Sequence, residues 1–293
     1  MIRLTAGGAW PRTRTAASDG LLAALWQHRQ GRAGLLLMLA LVLLAVLGPA
    51  LLPHDPNLPN YAKTLAAPSA EHWLGTDATG RDQLARLADG AHRSLGGAAL
   101  VMALVFGVGL IVGVVAAVAG GLLDIVLMRI VDVMMALPGL IFAFAVLGLL
   151  GPGYLNLLFA LAVADWAYYA RLARATALDA AARPHVEAAR MMGRAPWQVL
   201  IAHILPAVAW QLAVLATLGM GGMIAAISAF SFLGLGVQVP HAEWGAMLAD
   251  SRFYFTIAPW LLIAPAALIF AAVLASNQLG EALRDITTPE GRS

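Results

Sequence analysis

The chain has 293 residues, 61% hydrophobic and only 12% charged, where an ordinary soluble domain carries about 25% charge. That composition excludes a water-soluble enzyme, and it excludes a disordered chain, which needs low hydrophobicity and high charge. A formal charge of +2, a single lysine at Lys63 and no cysteine exclude thiol chemistry and leave a polytopic protein whose surroundings are membrane lipid and not nucleic acid.

Taken in chain order, residues 1–32 read as a loosely ordered cytoplasmic leader with no chemistry of its own. Residues 33–52 form the first apolar run of the roughly 20 residues that a helix needs to cross a bilayer. The run is longer than the apolar part of a signal peptide and has no small-x-small cleavage site before Pro53, so it reads as an anchor that stays. Residues 53–94 form an extracytoplasmic segment, in which Leu84, Leu87, Ala88, Ala91 and Leu95 recur at helical spacing and predict an amphipathic helix along the outer surface. A core over 95–280 supplies five further spans, at 95–123, 133–150, 154–170, 207–229 and 259–280, and 281–293 is a cytoplasmic tail. Pro138, Gly221, Gly222 and Pro265 are tolerable inside spans because neighbouring helices satisfy freed backbone groups or pack closely there. Arg129 and Asp132, three apart, suit a local ion pair, and Asp165 reads as an interfacial charge near the cytoplasmic end of the fourth span.

Six spans put both termini on one side. With the N-terminus inside, thirteen of the 18 basic residues fall in cytoplasmic segments and five outside. Lys and Arg gather in cytoplasmic loops, so the expected orientation is N-in and C-in.

Catalytic motifs are missing. A P-loop needs a lysine after its glycines, and Lys63 follows Ala62 on the outside, so the chain does not hydrolyse ATP by itself. There is no H-E-x-x-H and no G-x-S-x-G, and none of the seven histidines stands three or four residues from another. No catalytic, metal or cofactor residue is therefore assigned; His54, His72, His92 and His241 face outside but are dispersed. A stand-alone secondary transporter or channel is the alternative reading, against which the lack of midplane charge counts.

Residues 171–206 form a connection long enough to suggest function. It reads as one helix over 179–192, stopped by Gly193 in the left-handed conformation that ends helices, and a second from Pro196 to just before Pro206. Ala188 and Ala189 keep the surface shallow and Glu187 adds one charge, which makes a knob able to dock a partner. The competing reading is an amphipathic hairpin on lipid headgroups, favoured by Arg171, Arg174, Arg183, Arg190 and Arg194.

Glu187-Ala188-Ala189, three residues, Gly193, nine residues, then His203-Ile204-Leu205-Pro206 resembles the EAA loop of permease subunits of ABC importers. The resemblance implies an all-α integral membrane protein with a type I ABC importer permease-like fold, multi-pass in the bacterial inner membrane. Glu187, Ala188, Ala189, Gly193, His203, Leu205 and Pro206 would then couple the chain to its ATPases. The implied partners are a homologous second permease, two cytoplasmic ABC ATPase subunits that bind the ATP and Mg, and an extracytoplasmic substrate-binding protein. His203, where many importers have an aliphatic residue, is similar to the peptide and nickel branch. So are His72-Trp73-Leu74-Gly75-Thr76-Asp77 with Gly80-Arg81-Asp82, Ser231-Phe232-Leu233-Gly234-Leu235-Gly236, Glu243-Trp244-Gly245 and Leu283-Arg284-Asp285, which resemble the C-type permease of that branch. Its outer loop is implied to touch the binding protein or line the outer gate, unless its glycines and aromatics only pack. The cargo implied is a di- or oligopeptide, or nickel or a metal chelate. Ile227 leans towards the metal, because peptide permeases often carry an acidic residue there.

Overall fold

The structure, a computed structural model, describes residues 20–287, and within them the regular structure is helical apart from one isolated bridge between Thr76 and Asp82. Helix α1 (Leu21–Gln27) leads into α2 (Arg29–Leu51) through His28, whose Nδ1 accepts from Gly31 N at 3.4 Å. The part of the expected leader that is described is thus helical, and residues 1–19 lie outside the described residues. After an irregular outer segment, α3 (Gln83–Ala119) starts where the Asp82 carboxylate accepts from Ala85 N at 2.8 Å and satisfies a free first-turn donor. The amphipathic outer helix and the second span are therefore one 37-residue rod, which at about 1.5 Å per residue outruns a bilayer core of about 30 Å.

The expected third span is broken. Helices α4 (Gly121–Ala136) and α5 (Gly139–Leu150) meet at 89°. Pro138 is the cause, because a proline ring clashes with a helical residue before it, and Leu137 is extended at φ −100° and ψ 139°. Asp132 is paired with Arg171 across on the next helix instead of with Arg129, and Asp124 takes Arg174 in a two-bond fork at 2.5 and 2.6 Å. These two pairs pin α4 to α6 (Tyr154–Ala181).

Two short helices follow, α7 (Pro184–Met191) and α8 (Pro196–Val199). A π-helical turn over Leu200–Ile204 then leads without a break into α9 (Leu205–Phe232). Pro206 therefore does not end a helix, contrary to expectation. A proline removes one backbone donor and crowds the carbonyl four residues back; the wider turn, in which Leu205 N reaches Leu200 O, accommodates both. A short helix, α10 (Trp244–Ser251), precedes α11 (Trp260–Thr287).

Among the described residues, four stretches, α2, α3, Pro196–Phe232 and α11, are long and apolar enough to cross a membrane, or five if the bent α4–α5 pair counts as one. Helix α6 matches them in length but carries Asp165, Arg171 and Arg174. The core lies between α3, α6, α9 and α11, around Val101, Leu157, Leu212 and Ile227, all fully buried. Gly109 and Gly113 form a G-x-x-x-G step on α3, and a Cβ at Gly113 would stand 2.5 Å from Ala173 Cβ of α6. In lipid, where no hydrophobic force draws helices together, such close backbone approach is a main source of association. Leu36, Leu39, Val42, Leu43 and Val46 of α2 face outward, as lipid contact requires.

Candidate functional site

One end of the molecule, the end expected to face outward, is closed by a polar knot. Asp77 Oδ2 takes Arg81 Nε at 2.7 Å and Arg86 Nε at 3.3 Å, while its Oδ1 accepts from the Thr79 amide and hydroxyl, both at 2.8 Å. Burial opposes ionisation of Asp77, but the guanidinium groups of Arg81 and Arg86 outweigh it and hold the carboxyl below its ordinary value. Arg86 also donates to the Pro56 and Pro240 carbonyls at 3.2 and 3.1 Å, tying the outer segment to the loop before α10. Asp250 behaves oppositely: burial pushes its pKa up despite Arg86 and Arg81. Between them lies a cavity of about 540 Å³, lined by Asp77, Arg81, Phe232, Leu233, Asp250 and Arg252.

Glu243 is fully buried, accepting from Ser94 Oγ at 2.8 Å and capping α10 through Ala246 N at 3.0 Å. Trp244, also fully buried, donates its indole N–H to Leu87 O at 3.0 Å. Of the two readings of the outer loop, Glu243 and Trp244 thus serve packing, whereas Phe232, Leu233 and Gly234 line the cavity.

Within the helical bundle, a smaller cavity of about 230 Å³ is lined by Met102, Asp165, Tyr168, Tyr169, Gly219 and Met223. Asp165, expected at an interface, is half-buried and offers this cavity a carboxylate.

At the opposite end from the polar knot, α7 projects between α6 and α8. Pro184 sits in its first turn, where a missing N–H costs nothing. Val186 and Ala189 are buried and seat the helix, while Glu187 is exposed and Ala188 half-exposed. Gly193 ends it at φ +79° with open space where a Cβ would be, so glycine is required there by the backbone alone. Arg194 N then reaches back to Ala189 O at 3.3 Å, and Gln198 Oε1 accepts from Ala195 N at 3.1 Å as α8 begins. Met191, Met192, Trp197 and Ile201 stand 83%, 75%, 61% and 57% exposed, so the knob and the helix after it offer an apolar surface, with Met191 one helical turn from Glu187. His203 is half-buried in the π-helical turn with its ring centroid 5.8 Å from that of His185 on α7, and Leu205 and Pro206 open α9. A recess of about 420 Å³ lies behind the knob, between the ends of α3 and α6 and the residues Arg190, Arg194 and Ile204.

Residues 109–289 match the family described as binding-protein-dependent transport system inner membrane component. The chain belongs to this family. Its relatives include the nickel transport system permease protein NikC of Escherichia coli, 39% identical over 88% of this chain and 93% of the relative. A dipeptide transport system permease protein, DppC of Alkalihalophilus pseudofirmus, is 37% identical over 89% and 86% of the two chains. The glutathione transport system permease protein GsiD of Pectobacterium atrosepticum is 37% identical over 92% and 89%. The fold is similar to that of a chain of the MetNI methionine ABC transporter in inward-facing form, with a TM-score of 0.51 at 20% identity over 66% of this chain and 94% of that one. The all-helical, type I ABC permease-like architecture and the inner-membrane location expected from the EAA resemblance follow from these matches.

In this inner-membrane component, the structure brings Glu187, Ala188, Ala189 and Gly193 together on α7 and its C-terminal turn, and sets His203, Leu205 and Pro206 behind them on the continuous α8–α9 run. Ile227 is fully buried in the core and lines none of the cavities described above, so its side chain carries no direct information about cargo. The sequence reading missed Asp165 as a cavity residue; the signal was present in a lone carboxylate within an apolar helix. It also treated the outer histidines as dispersed, whereas the rings of His54 and His72 lie 4.7 Å apart. No spacing rule reveals that pair, because an irregular loop joins them.

Proposed function

We propose that this chain is one of two homologous transmembrane subunits of an ATP-driven importer, forming half of a pathway for peptides or for nickel or a metal chelate. In this reading it spans the bilayer six times, through α2, α3, the bent α4–α5 pair, α6, α8–α9 and α11, with both termini inside; the excess of arginines in the expected cytoplasmic segments supports that orientation. Two cytoplasmic ATPase subunits bind ATP and Mg, a binding protein delivers cargo from outside, and this chain performs no covalent chemistry. The names of the nickel, dipeptide and glutathione permeases support the class of cargo.

The observation that carries the proposal is the α7 knob. Eight residues are anchored by buried Val186 and Ala189 and present Glu187, Met191 and Met192 to solvent. Apolar Met191 and Met192 near the Glu187 carboxylate suit a protein cleft, and the exposed Trp197, Arg190 and Arg194 that flank them can meet an acidic cleft edge as well as headgroups. Helices α8 and α9 run on to Phe232 at the outer cavity, so displacement of the knob is carried through rigid helix to the far side. ATPase closure would move α7 and tilt the spans outward; hydrolysis would reset them.

Glu187→Arg and Gly193→Val test this in proteoliposomes holding the complete transporter. Valine at a positive φ strains the turn by roughly 1–2 kcal/mol, and arginine reverses the charge that the cleft meets. Both variants should insert normally, fail to retain the ATPases through purification and lose ATP-driven uptake. Uptake at the wild-type rate by either inserted variant would refute the coupling role.

A further inference from the structure

On the outer face, away from the knob, three side chains from separate places in the chain converge. His54 follows α2, Glu71 and His72 sit in the loop before α3, and one ligand atom from each lies within 4.8 Å of the others. His72 is 94% buried, being only 6% exposed, and its orientation is set from two sides. Its backbone N–H donates to Ser69 Oγ at 3.1 Å, and its Nδ1 stands 2.9 Å from Asp82 Oδ2. A carboxylate only accepts, so Nδ1 carries the proton and the lone pair is on Nε2. That Nε2 is buried with no hydrogen-bond partner among the described residues, and the Glu71 carboxylate lies 3.9 Å from it. Asp82 is itself fixed as the N-cap of α3 through Ala85 N.

A carboxylate that holds the far nitrogen of a histidine and aims the near lone pair into a cluster is the arrangement that fixes metal-ligating histidines elsewhere. We infer that His54, Glu71 and His72 form a binding site for a borderline divalent transition metal ion, with Asp82 as the positioning residue. Two imidazoles and one carboxylate suit Zn²⁺ or Ni²⁺ and not the oxygen-seeking Mg²⁺ or Ca²⁺. Three protein ligands leave the fourth tetrahedral position to water, and Glu71, 62% exposed, and His54, 31% exposed, leave the site open to solvent. Bonds of about 2.0–2.1 Å need ligand atoms about 3.3 Å apart, so the cluster must contract slightly. The exposed Glu71 side chain can move that far. Lys63 Nζ holds Glu71 Oε1 at 2.6 Å; the ion takes the other oxygen or displaces the ammonium into water. His54, Glu71 and His72 line none of the cavities described above, and the site does not depend on which cargo is carried: its ion would clamp the chain after α2 to the loop that precedes α3.

The experiment uses the full chain without an affinity tag, purified in detergent and stripped with chelator, and titrates Zn²⁺ against a fluorescent zinc indicator. Co²⁺ in a second titration reports ligand geometry by its visible absorption. Wild type should bind one equivalent of Zn²⁺, and Co²⁺ should give the intense bands of a four-coordinate ion. His72→Asn keeps an N–H towards Asp82 but removes Nε2; His54→Ala and Glu71→Gln remove the other ligands from the exposed side. Each should weaken Zn²⁺ at least tenfold, and Zn²⁺ should raise the melting temperature of wild type but not of the variants. Should His72→Asn fail to fold, the other two variants decide alone. Wild-type Zn²⁺ binding no tighter than that of a His54→Ala/Glu71→Gln double variant, or octahedral Co²⁺ spectra in wild type, would overturn the assignment.

Discussion

Asp77 joins the outer segment to two arginines that have almost no access to water: the side chains of Asp77, Arg81 and Arg86 are 14%, 10% and 3% exposed. Removing one partner of such a cluster leaves charge buried without compensation, at a cost of roughly 3–5 kcal/mol. Asp77→Asn keeps the shape and loses the charge, so it should lower the melting temperature of the purified chain clearly at pH 7. The pH dependence has a defined sign. The folded pKa of Asp77 lies below its ordinary value, so its contribution is complete above an unfolded pKa of about 3.9 and is lost as pH falls through the folded value. Asp250, whose pKa burial raises, works in the opposite sense, and the charge of Asp77 is among the causes of that rise, so both proteins carry Asp250→Asn in the comparison and its titration is removed from the difference. The difference in stability between Asp250→Asn and the Asp77→Asn/Asp250→Asn double variant should therefore be flat above about pH 5 and shrink below about pH 4. A difference that stays constant into acid would show that the charge of Asp77 is not what holds the knot. The motif around Asp77 was legible in the sequence as a family resemblance, but its role as a knot was not. Its partners at Pro56 and Pro240 lie far away in sequence, and side-chain to carbonyl bonds of that range leave no periodic trace.

Helices were legible where apolar length decides them and obscured where a single residue does. The runs that became α2, α3, α9 and α11 are visible from hydropathy alone. The joint of α4 and α5 depends on Leu137, made extended by Pro138, and the continuity of α8 with α9 depends on a π-helical turn; both turn on one proline. Composition cannot say whether a proline will break a helix or be absorbed by it, because the answer lies in which carbonyls the neighbours can satisfy. The α3–α6 contact is the reverse case: its signature, Gly109 and Gly113 four apart, stands openly in the sequence. Gly113→Leu places a Cβ 2.5 Å from that of Ala173. Overpacking of this kind costs about 1–3 kcal/mol and pushes apart the helices that carry the knob. Gly107→Leu on the same helix meets nothing within 4 Å and is the matched control. Thermal aggregation in detergent should shift down for Gly113→Leu and stay at the wild-type value for Gly107→Leu. Equal behaviour of the two variants would mean that the step carries no packing energy.

The whole molecule is polarised, with the Asp77 knot and its cavity of about 540 Å³ at one end and the α7 knob with its apolar surface at the other. Coupling between those ends needs them on opposite sides of the bilayer, and the six-span, N-in arrangement proposed above would put them there. The two ends differ in how the charge is held. Arg81 and Arg86 are buried in the knot, whereas beside α7 Arg190 is exposed and Arg183, exposed too, is paired with Asp179 at 3.1 Å. The chain contains no cysteine, so a single introduced thiol reports its own side with no background. Met192→Cys on the knob and Ala67→Cys in the outer segment are both at exposed positions. In intact cells a membrane-impermeant maleimide should label Ala67→Cys and leave Met192→Cys unlabelled until the membrane is permeabilised. The opposite pattern would invert the topology and set the knob facing the binding protein. Labelling of both in intact cells would place the two ends on one side, and the rigid run from α8 to Phe232 could then no longer carry a signal across the membrane.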